Sequence, residues 1–203
     1  RSRRVPGWTR DAEAVRLAQA SFGLPDDAVV VELGSFLGCS SVLLAGARKL
    51  RGSGRVHCID PFDASGDTFS TPIYRTIQDS ESIPLRARFE KNLERAGVRE
   101  WVDVHTARAE DAVDTWKTPI DLLFFDGHQS YDVVMSTYRA WTPFLKKGGV
   151  LAVHNSRTGY RQESHDGSAR LVEELVRPPR YTDVELVKSI TFARKASDEG
   201  VEA

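Results

Sequence analysis

Four side chains in this chain combine reactive chemistry with a telling position: Glu32, Asp60, Asp126 and His154. Each follows or closes an apolar run: Val29-Val30-Val31-Glu32, Val56-His57-Cys58-Ile59-Asp60, Leu122-Leu123-Phe124-Phe125-Asp126 and Val150-Leu151-Ala152-Val153-His154. Carboxylates accept hydrogen bonds from hydroxyl or ammonium groups, and an imidazole with an ordinary pKa of about 6.5 can move a proton near neutral pH. Directly after the first acid comes Gly34-Ser35-Phe36-Leu37-Gly38. A glycine turn of this kind brings backbone N–H groups and a helix N-terminus against a small ligand. Gly38 and Asp60 are 22 positions apart, close to the separation at which nucleotide-binding α/β folds set an acid on a ribose. A nucleoside-containing cofactor is the expected ligand.

The elements that must position these groups alternate. Strands are expected at 28–33, 55–60, 101–105, 121–125 and 150–153, with two further β-rich pieces at 183–187 and 190–194. Helices are expected at 10–22, with Thr9 as N-cap, and at 39–50, 84–96, 130–145 and 167–176. A further helix opens at 108–112, its acids lying in the first turn. Lys146-Lys147-Gly148-Gly149 reads as a turn. Residues 61–83, with Pro61, Gly66 and Pro72, read as an irregular insert or lid carrying one turn of structure around Ile73 and Tyr74. Strands alternating with helices imply a parallel sheet covered on both faces, with the ligand outside the carboxyl ends of the strands. Glu32, Asp60, Asp126 and His154 should therefore line one edge of the sheet.

The bulk composition narrows the classes. One domain spanning 1–203 is expected, with flexible ends at 1–9 and 196–203. A net charge of −1 gives no electrostatic footprint for nucleic acid or an anionic membrane. No apolar run approaches the length of a membrane span, and no signal peptide is visible. Two cysteines, Cys39 and Cys58, are too few for a disulfide framework and fit reduced, packed thiols in a cytoplasmic protein. The chain opens on Arg1 and not on Met, which leaves its natural start open.

Two classes of cofactor suit a nucleoside site. A dinucleotide needs a Gly-x-Gly-x-x-Gly turn so that a pyrophosphate can approach the backbone. Here the two glycines are four apart, and Glu32 stands two residues before the first. A carboxylate at that place repels a pyrophosphate and suits a cofactor with an ammonium, a sulfonium and no phosphate, as in S-adenosylmethionine.

At this point the chain resembles the class I S-adenosylmethionine-dependent methyltransferases, and within them the small-molecule O-methyltransferase branch of macrocin and cephalosporin-cluster type. The resemblance runs from about residue 8 to 195. It is carried by Val31 through Ser41, by Ile59-Asp60-Pro61-Phe62, by Phe125-Asp126-Gly127-His128-Gln129-Ser130-Tyr131, and by Trp141 through Asn155. It implies a doubly wound, mostly parallel seven-stranded sheet of Rossmann-like α/β type with an antiparallel last strand.

It also implies roles. Gly34 and Gly38 let the loop, with Ser35 and Phe36, pass under the methionine arm, and Glu32 sits near its ammonium. Ser40 or Ser41 bonds the cofactor carboxylate, and Asp60 accepts both ribose hydroxyls. Pro61 follows Asp60, and Phe62 packs beside the ribose or adenine. Ala109 and Glu110 touch the adenine. Asp126, Gly127 and His128 lie beside the methyl group. His128, before His154, is the expected general base. Tyr138 and Trp141 are expected in the core, and His57, His105 and His165 are expected to have no chemical role.

Catechol-type relatives hold magnesium on a strand-four Asp and an Asp-Asn pair after strand five. Asp126 and Asn155 match two of these places, but His154 replaces the middle acid. Since magnesium prefers oxygen ligands, a metal on Asp126, His154 and Asn155 is left open without being favoured. The expected partner is a small-molecule acceptor with a hydroxyl, with Tyr74, Arg75, Tyr160 and Arg161 near it; a homodimer is left open. The residues leave two alternatives, a nicotinamide-dependent oxidoreductase and a non-catalytic cofactor-binding protein. Glycine spacing and Glu32 count against the first.

Overall fold

The apolar runs become the central strands of one sheet. The computed structural model describes residues 5–197. Seven strands, β1 (Val29–Leu33), β2 (Arg55–Ile59), β3 (Val102–His105), β4 (Ile120–Phe125), β5 (Leu145–Val153), β6 (Tyr181–Val187) and β7 (Ile190–Lys195), lie in the order β3-β2-β1-β4-β5-β7-β6. β1 to β5 pair in parallel, β7 runs antiparallel to β5, and β6 runs antiparallel to β7. β1 and β4 have both faces covered, so apart from Glu32 and Asp121 their residues are apolar without alternation.

Neighbouring residues on one strand feed opposite layers of the core. Val30, Leu122 and Ala152 face one layer with Leu17 of α1 (Asp11–Phe22), Leu44 of α2 (Cys39–Arg51) and Phe89 of α4 (Leu85–Ala96). Val31, Leu123 and Leu151 face the other, with Tyr138 and Trp141 of α6 (Tyr131–Trp141) and Leu171 of α7 (Gly167–Leu175). Tyr138 and Trp141 are thus core residues, and Tyr138 bonds Tyr181 through the two hydroxyls. Among the described residues no helix is long and apolar enough to cross a membrane.

Local departures from the expected elements have identifiable causes. The insert holds a nine-residue helix, α3 (Thr71–Asp79), where one turn was expected. Pro72 sits at its first turn, where a missing N–H costs nothing. The Lys146–Gly149 stretch belongs to β5: Leu145 pairs with Ile120, and Lys146 Nζ reaches both oxygens of Asp121 at 2.8 and 3.0 Å. α6 ends at Trp141, before Pro143, and a single 3-10 turn follows. The helix expected at 108–112 is one turn, α5 (Ala109–Ala112). Arg10, and not Thr9, caps α1; its backbone N–H donates to Glu13 Oε1 at 3.1 Å.

The expected flexible start at 1–9 is, over residues 5–9, a packed segment. Val5 and Thr9 are buried, and a side chain at Gly7 would collide with Cys39. At the other end, Ala196 N–H bonds Arg180 O at 2.8 Å. Residues 1–4 and 198–203 lie outside the described residues.

Candidate active site

Parallel pairing brings the carboxyl ends of β1, β2, β4 and β5 side by side, with Leu33 level with Ile59 and Phe125, and Phe125 level with Val153. Asp60, Asp126 and His154 follow those ends directly, so the expected edge exists. Glu32 lies one residue inside it and is fully buried.

The loop after β1 is held by carboxylates. Asp60 Oδ2 accepts the N–H groups of Ser35 and Phe36, each at 2.8 Å, and its Oδ1 accepts that of Phe62 at 2.7 Å. Three backbone donors occupy most of what two carboxylate oxygens can accept and leave capacity for one further donor from the cleft. Burial pushes the Asp60 carboxyl up, and these N–H groups pull it back. Glu32 holds the same loop from below. Its Oε2 accepts Ser35 Oγ at 2.8 Å, the Ser41 hydroxyl and the Cys58 thiol at 3.2 Å, whereas its buried Oε1 has no partner. Burial pushes its pKa up to about 6 against the pull of the serines.

Gly34 (φ +89°) cannot be exchanged without cost: a Cβ there would stand 2.4 Å from the Asp126 carbonyl oxygen. Gly38 has the same φ as N-cap of α2, and a Cβ there would press on the Phe89 ring at 3.1 Å.

Two cavities open on this edge. The larger is lined by Gly34, Phe36, Asp60, Pro61, Ala109, Glu110, Asp126, Gly127 and His128 among others. All nine were expected at the cofactor. The smaller lies between the loop and the packed start of the chain; Ser35, Phe36 and Ser40 line it together with Trp8 and Tyr74. Glu32, Gly38, Ser41 and Phe62 line neither. Glu32 and Ser41 form the support under the loop, Gly38 shapes its exit, and Phe62 packs on Phe89 at 5.1 Å between ring centres.

The sequence reading missed Trp8, Asp63, Arg108, Gln129 and Ser168. Arg108 reaches from the β3–α5 turn to Asp63 of the insert at 2.9 Å, and Ser168 Oγ bonds Gln129 Oε1 at 2.7 Å. No local signal marks these pairs, because their partners meet only through the fold.

The two candidate histidines differ. His154 Nδ1 stands 2.5 Å from Asp126 Oδ1, and its backbone N–H bonds Phe125 O at 2.9 Å. Burial opposes a charge on this ring, but the Asp126 carboxylate outweighs burial and raises its pKa. His154 lines neither cavity; Asp126 lines both. His128 lines the larger one, and its Nδ1 accepts the Ser130 N–H at 3.2 Å with Ser130 Oγ at 2.9 Å. A neutral ring with Nδ1 accepting carries its proton on Nε2, and so presents a donor to the cleft. His57 Nδ1 and His105 Nε2 pair with each other at 3.2 Å, and neither lines the two cavities, although the His105 carbonyl at the end of β3 accepts the Asp60 N–H at 3.1 Å.

His165 has a partner after all. Its Nδ1 lies 3.2 Å from Asp67 Oδ1 in the insert, and Ser164 Oγ meets Thr68 Oγ1 at 2.5 Å, so the insert and the loop after β5 are clasped together. Burial would raise Asp67, but the bond to His165 and the Ser70 N–H hold its carboxyl at about 2. Arg161, expected beside the acceptor, is bonded to Glu173 at 2.6 Å.

The group set at the edge fits S-adenosylmethionine better than it fits a metal. The cleft carries Asp60, Asp63, Glu110 and Asp126, and its one Arg or Lys among the described residues, Arg108, is paired with Asp63. An acid-rich cleft whose cation is already neutralised suits a cationic ligand without phosphate. Of the metal candidates, Asp126 and His154 stand together and Asn155 turns to another partner. Asp126 gives an oxygen to His154, the Asn155 amide nitrogen stands 3.4 Å from His165 Nε2, and among the described residues no three His, Cys, Asp or Glu side chains are placed to share an ion.

A family model described as a methyltransferase domain matches residues 31–156. Among solved structures, cofactor-bound Rv0187 from MTB superposes with a TM-score of 0.68 at 18% identity, over 95% of this chain and 84% of that one. The O-methyltransferase NovP gives 0.66 at 14% identity, over 91% and 79%. CalS11, a TDP-rhamnose 3'-O-methyltransferase of calicheamicin biosynthesis, gives 0.56 at 17%, over 89% and 76%. At these identities the likeness shows the shared fold.

Proposed function

The chain belongs to the methyltransferase-domain family, and on that premise we propose that it transfers a methyl group from S-adenosylmethionine to a hydroxyl of a small molecule. The observation that carries the donor is the acid-rich cleft, whose one arginine is already paired with Asp63. A nicotinamide dinucleotide would bring a pyrophosphate to the same acids, where the one Arg or Lys of the cleft among the described residues is held by Asp63. When bound, the donor supplies an electrophilic methyl group on a sulfonium.

The chain's own residues do the rest. Asp60 presents its remaining acceptor capacity to the ribose. Ala109 and Glu110 flank the base. Ser40, at the start of α2, stands by the smaller cavity for the donor's carboxylate, where the helix N-terminus adds its partial positive charge. At the acceptor side, Asp126 takes the hydrogen bond, and then the proton, of the acceptor hydroxyl through the oxygen that His154 leaves free. His154, buried behind it, holds the carboxylate's orientation and charge. His128 was the first choice for that proton. With Nδ1 bound to Ser130, it instead offers Nε2–H as a donor that orients the acceptor oxygen. Bringing the acceptor into line with the methyl group is the larger part of such catalysis.

The reading also places the enzyme in the cytoplasm, where the buried free thiols Cys39 and Cys58 stay reduced. The test pairs two measurements on the whole chain. Calorimetric titration should give binding of S-adenosylmethionine and none of NAD. A metabolite panel with a labelled methyl donor should give transfer that Asp126→Asn lowers by about 100-fold in kcat, a loss typical of a removed acid–base group. NAD binding without S-adenosylmethionine binding would overturn the donor assignment; unchanged turnover in Asp126→Asn would overturn the proton acceptor.

A further inference from the structure

The larger and the smaller cavity have four walls in common: Gly34, Phe36, Tyr74 and Asp126. If the donor is S-adenosylmethionine, on which this inference rests, its adenosine occupies the larger cavity, beside Asp60 and Glu110. Its amino-acid arm occupies the smaller, beside Ser35 and Ser40. The sulfur joins those two parts of the molecule and therefore lies where the cavities meet, against the shared walls. Two of those walls are aromatic. The Phe36 and Tyr74 rings lie 5.1 Å apart between centroids, and Trp8 closes on both from the packed start of the chain, at 5.6 and 5.7 Å. The third shared side chain is a carboxylate.

Phe36 is held there against its backbone preference. Its φ is +47°, a left-handed conformation costly for a bulky residue, and Asp60 fixes it through the Phe36 N–H. Tyr74 comes from α3 in the insert. Burial, and then the charge of Asp126, keep its hydroxyl protonated, so the ring stays neutral.

We propose that Phe36 and Tyr74, backed by Trp8 and joined by Asp126, form a cage that selects the positive charge at the donor's sulfur. Aromatic faces and a carboxylate stabilise a cation away from water and do little for a neutral thioether. Loss of the methyl group removes that charge, so the same cage would hold the demethylated product, S-adenosylhomocysteine, less tightly and favour its release. Of the glycine loop, it is the Phe36 ring that makes this distinction; Ser35, in the smaller cavity, faces the amino-acid arm, which donor and product share.

The experiment measures dissociation constants by calorimetry, in the full chain, for three probes: S-adenosylmethionine, S-adenosylhomocysteine, and sinefungin, which carries an amine at the same position. Tyr74→Leu should weaken the two cationic probes by about tenfold and S-adenosylhomocysteine by less than twofold. Tyr74→Phe, which keeps the ring, should leave all three within twofold of the unaltered chain. Trp8→Leu should give the same pattern at smaller size, and quenching of Trp8 fluorescence on binding supplies a second readout. Equal weakening of all three probes in Tyr74→Leu would mean a packing role and overturn the cage. Equal losses in Tyr74→Phe and Tyr74→Leu would assign the effect to the hydroxyl and overturn it too. If the unaltered chain bound none of the three, the donor assignment itself would fall.

Discussion

In the glycine loop the backbone is what is held, whereas in the cover that the insert forms with the loop after β5 it is side chains that hold. Residues 34–38 are fixed by N–H groups on Asp60, by hydroxyls on Glu32 and by a φ of +89° at Gly34 and Gly38. The cover is made of residues 61–83 and the loop after β5, joined through Asp67–His165, Thr68–Ser164 and the ring contact of Phe69 with His165 at 4.7 Å. The first device is rigid and suited to an invariant ligand. The second consists of a few exchangeable contacts and leaves Phe69 and Ile73 partly exposed, which suits an acceptor that differs among enzymes of one fold.

The largest effect is expected where the loop admits no side chain. Gly34→Ala combines an unfavourable backbone with a clash against the Asp126 carbonyl, and should weaken donor binding by about 100-fold or more. Calorimetry measures it, and a thermal melt shows whether the rest of the fold survives. Donor affinity within threefold of the original would refute the claim that the loop is set by backbone fit.

Next comes the support under the loop. Glu32 has its pKa raised from 4.5 to about 6, which corresponds to about 2 kcal/mol. For an acid raised in the folded state, the folded chain keeps its proton where the unfolded chain has lost it. Stability should therefore fall by about that amount as pH rises from 4.5 to 6, and this contribution should be flat above. Urea unfolding across that range measures the slope, and Glu32→Gln should remove it. A slope unchanged in Glu32→Gln would show that other groups produce it.

The smallest effect on the donor is expected from the Asp67–His165 clasp of the cover. Asp67→Asn keeps the shape and removes the charge that faces His165. Acceptor KM should rise about threefold to tenfold with donor affinity unchanged. Amide exchange should quicken in 67–79 and 160–166, the two segments that the clasp joins. If this variant changed donor affinity as much as Gly34→Ala, the two halves would be one device and the comparison would fail.

Legibility follows the same division. Asp60, Gly34 and Asp126 were readable because each sits at a strand end that an apolar run announces. Ala109 and Glu110, which line the larger cavity, came through family resemblance. Tyr74 was named for the acceptor pocket, but its stacking on Phe36 was not foreseen, and Trp8 was placed in a flexible end although it packs on both rings. His165 seemed to have no role because its partner Ser70 is 95 residues away. The role expected of His128 depended on which nitrogen was engaged, and only the position of Ser130 against the ring decides that.

The strands, their alternation with helices and the loop after β1 were legible from residues a few positions apart: apolar runs, glycine conformations and acids at fixed offsets. The tertiary structure decided which acid pairs with which histidine, what lies beneath Glu32 and which rings meet at the junction of the two cavities. Those contacts follow the spatial order β3-β2-β1-β4-β5-β7-β6, and that order brings together segments that no local pattern links.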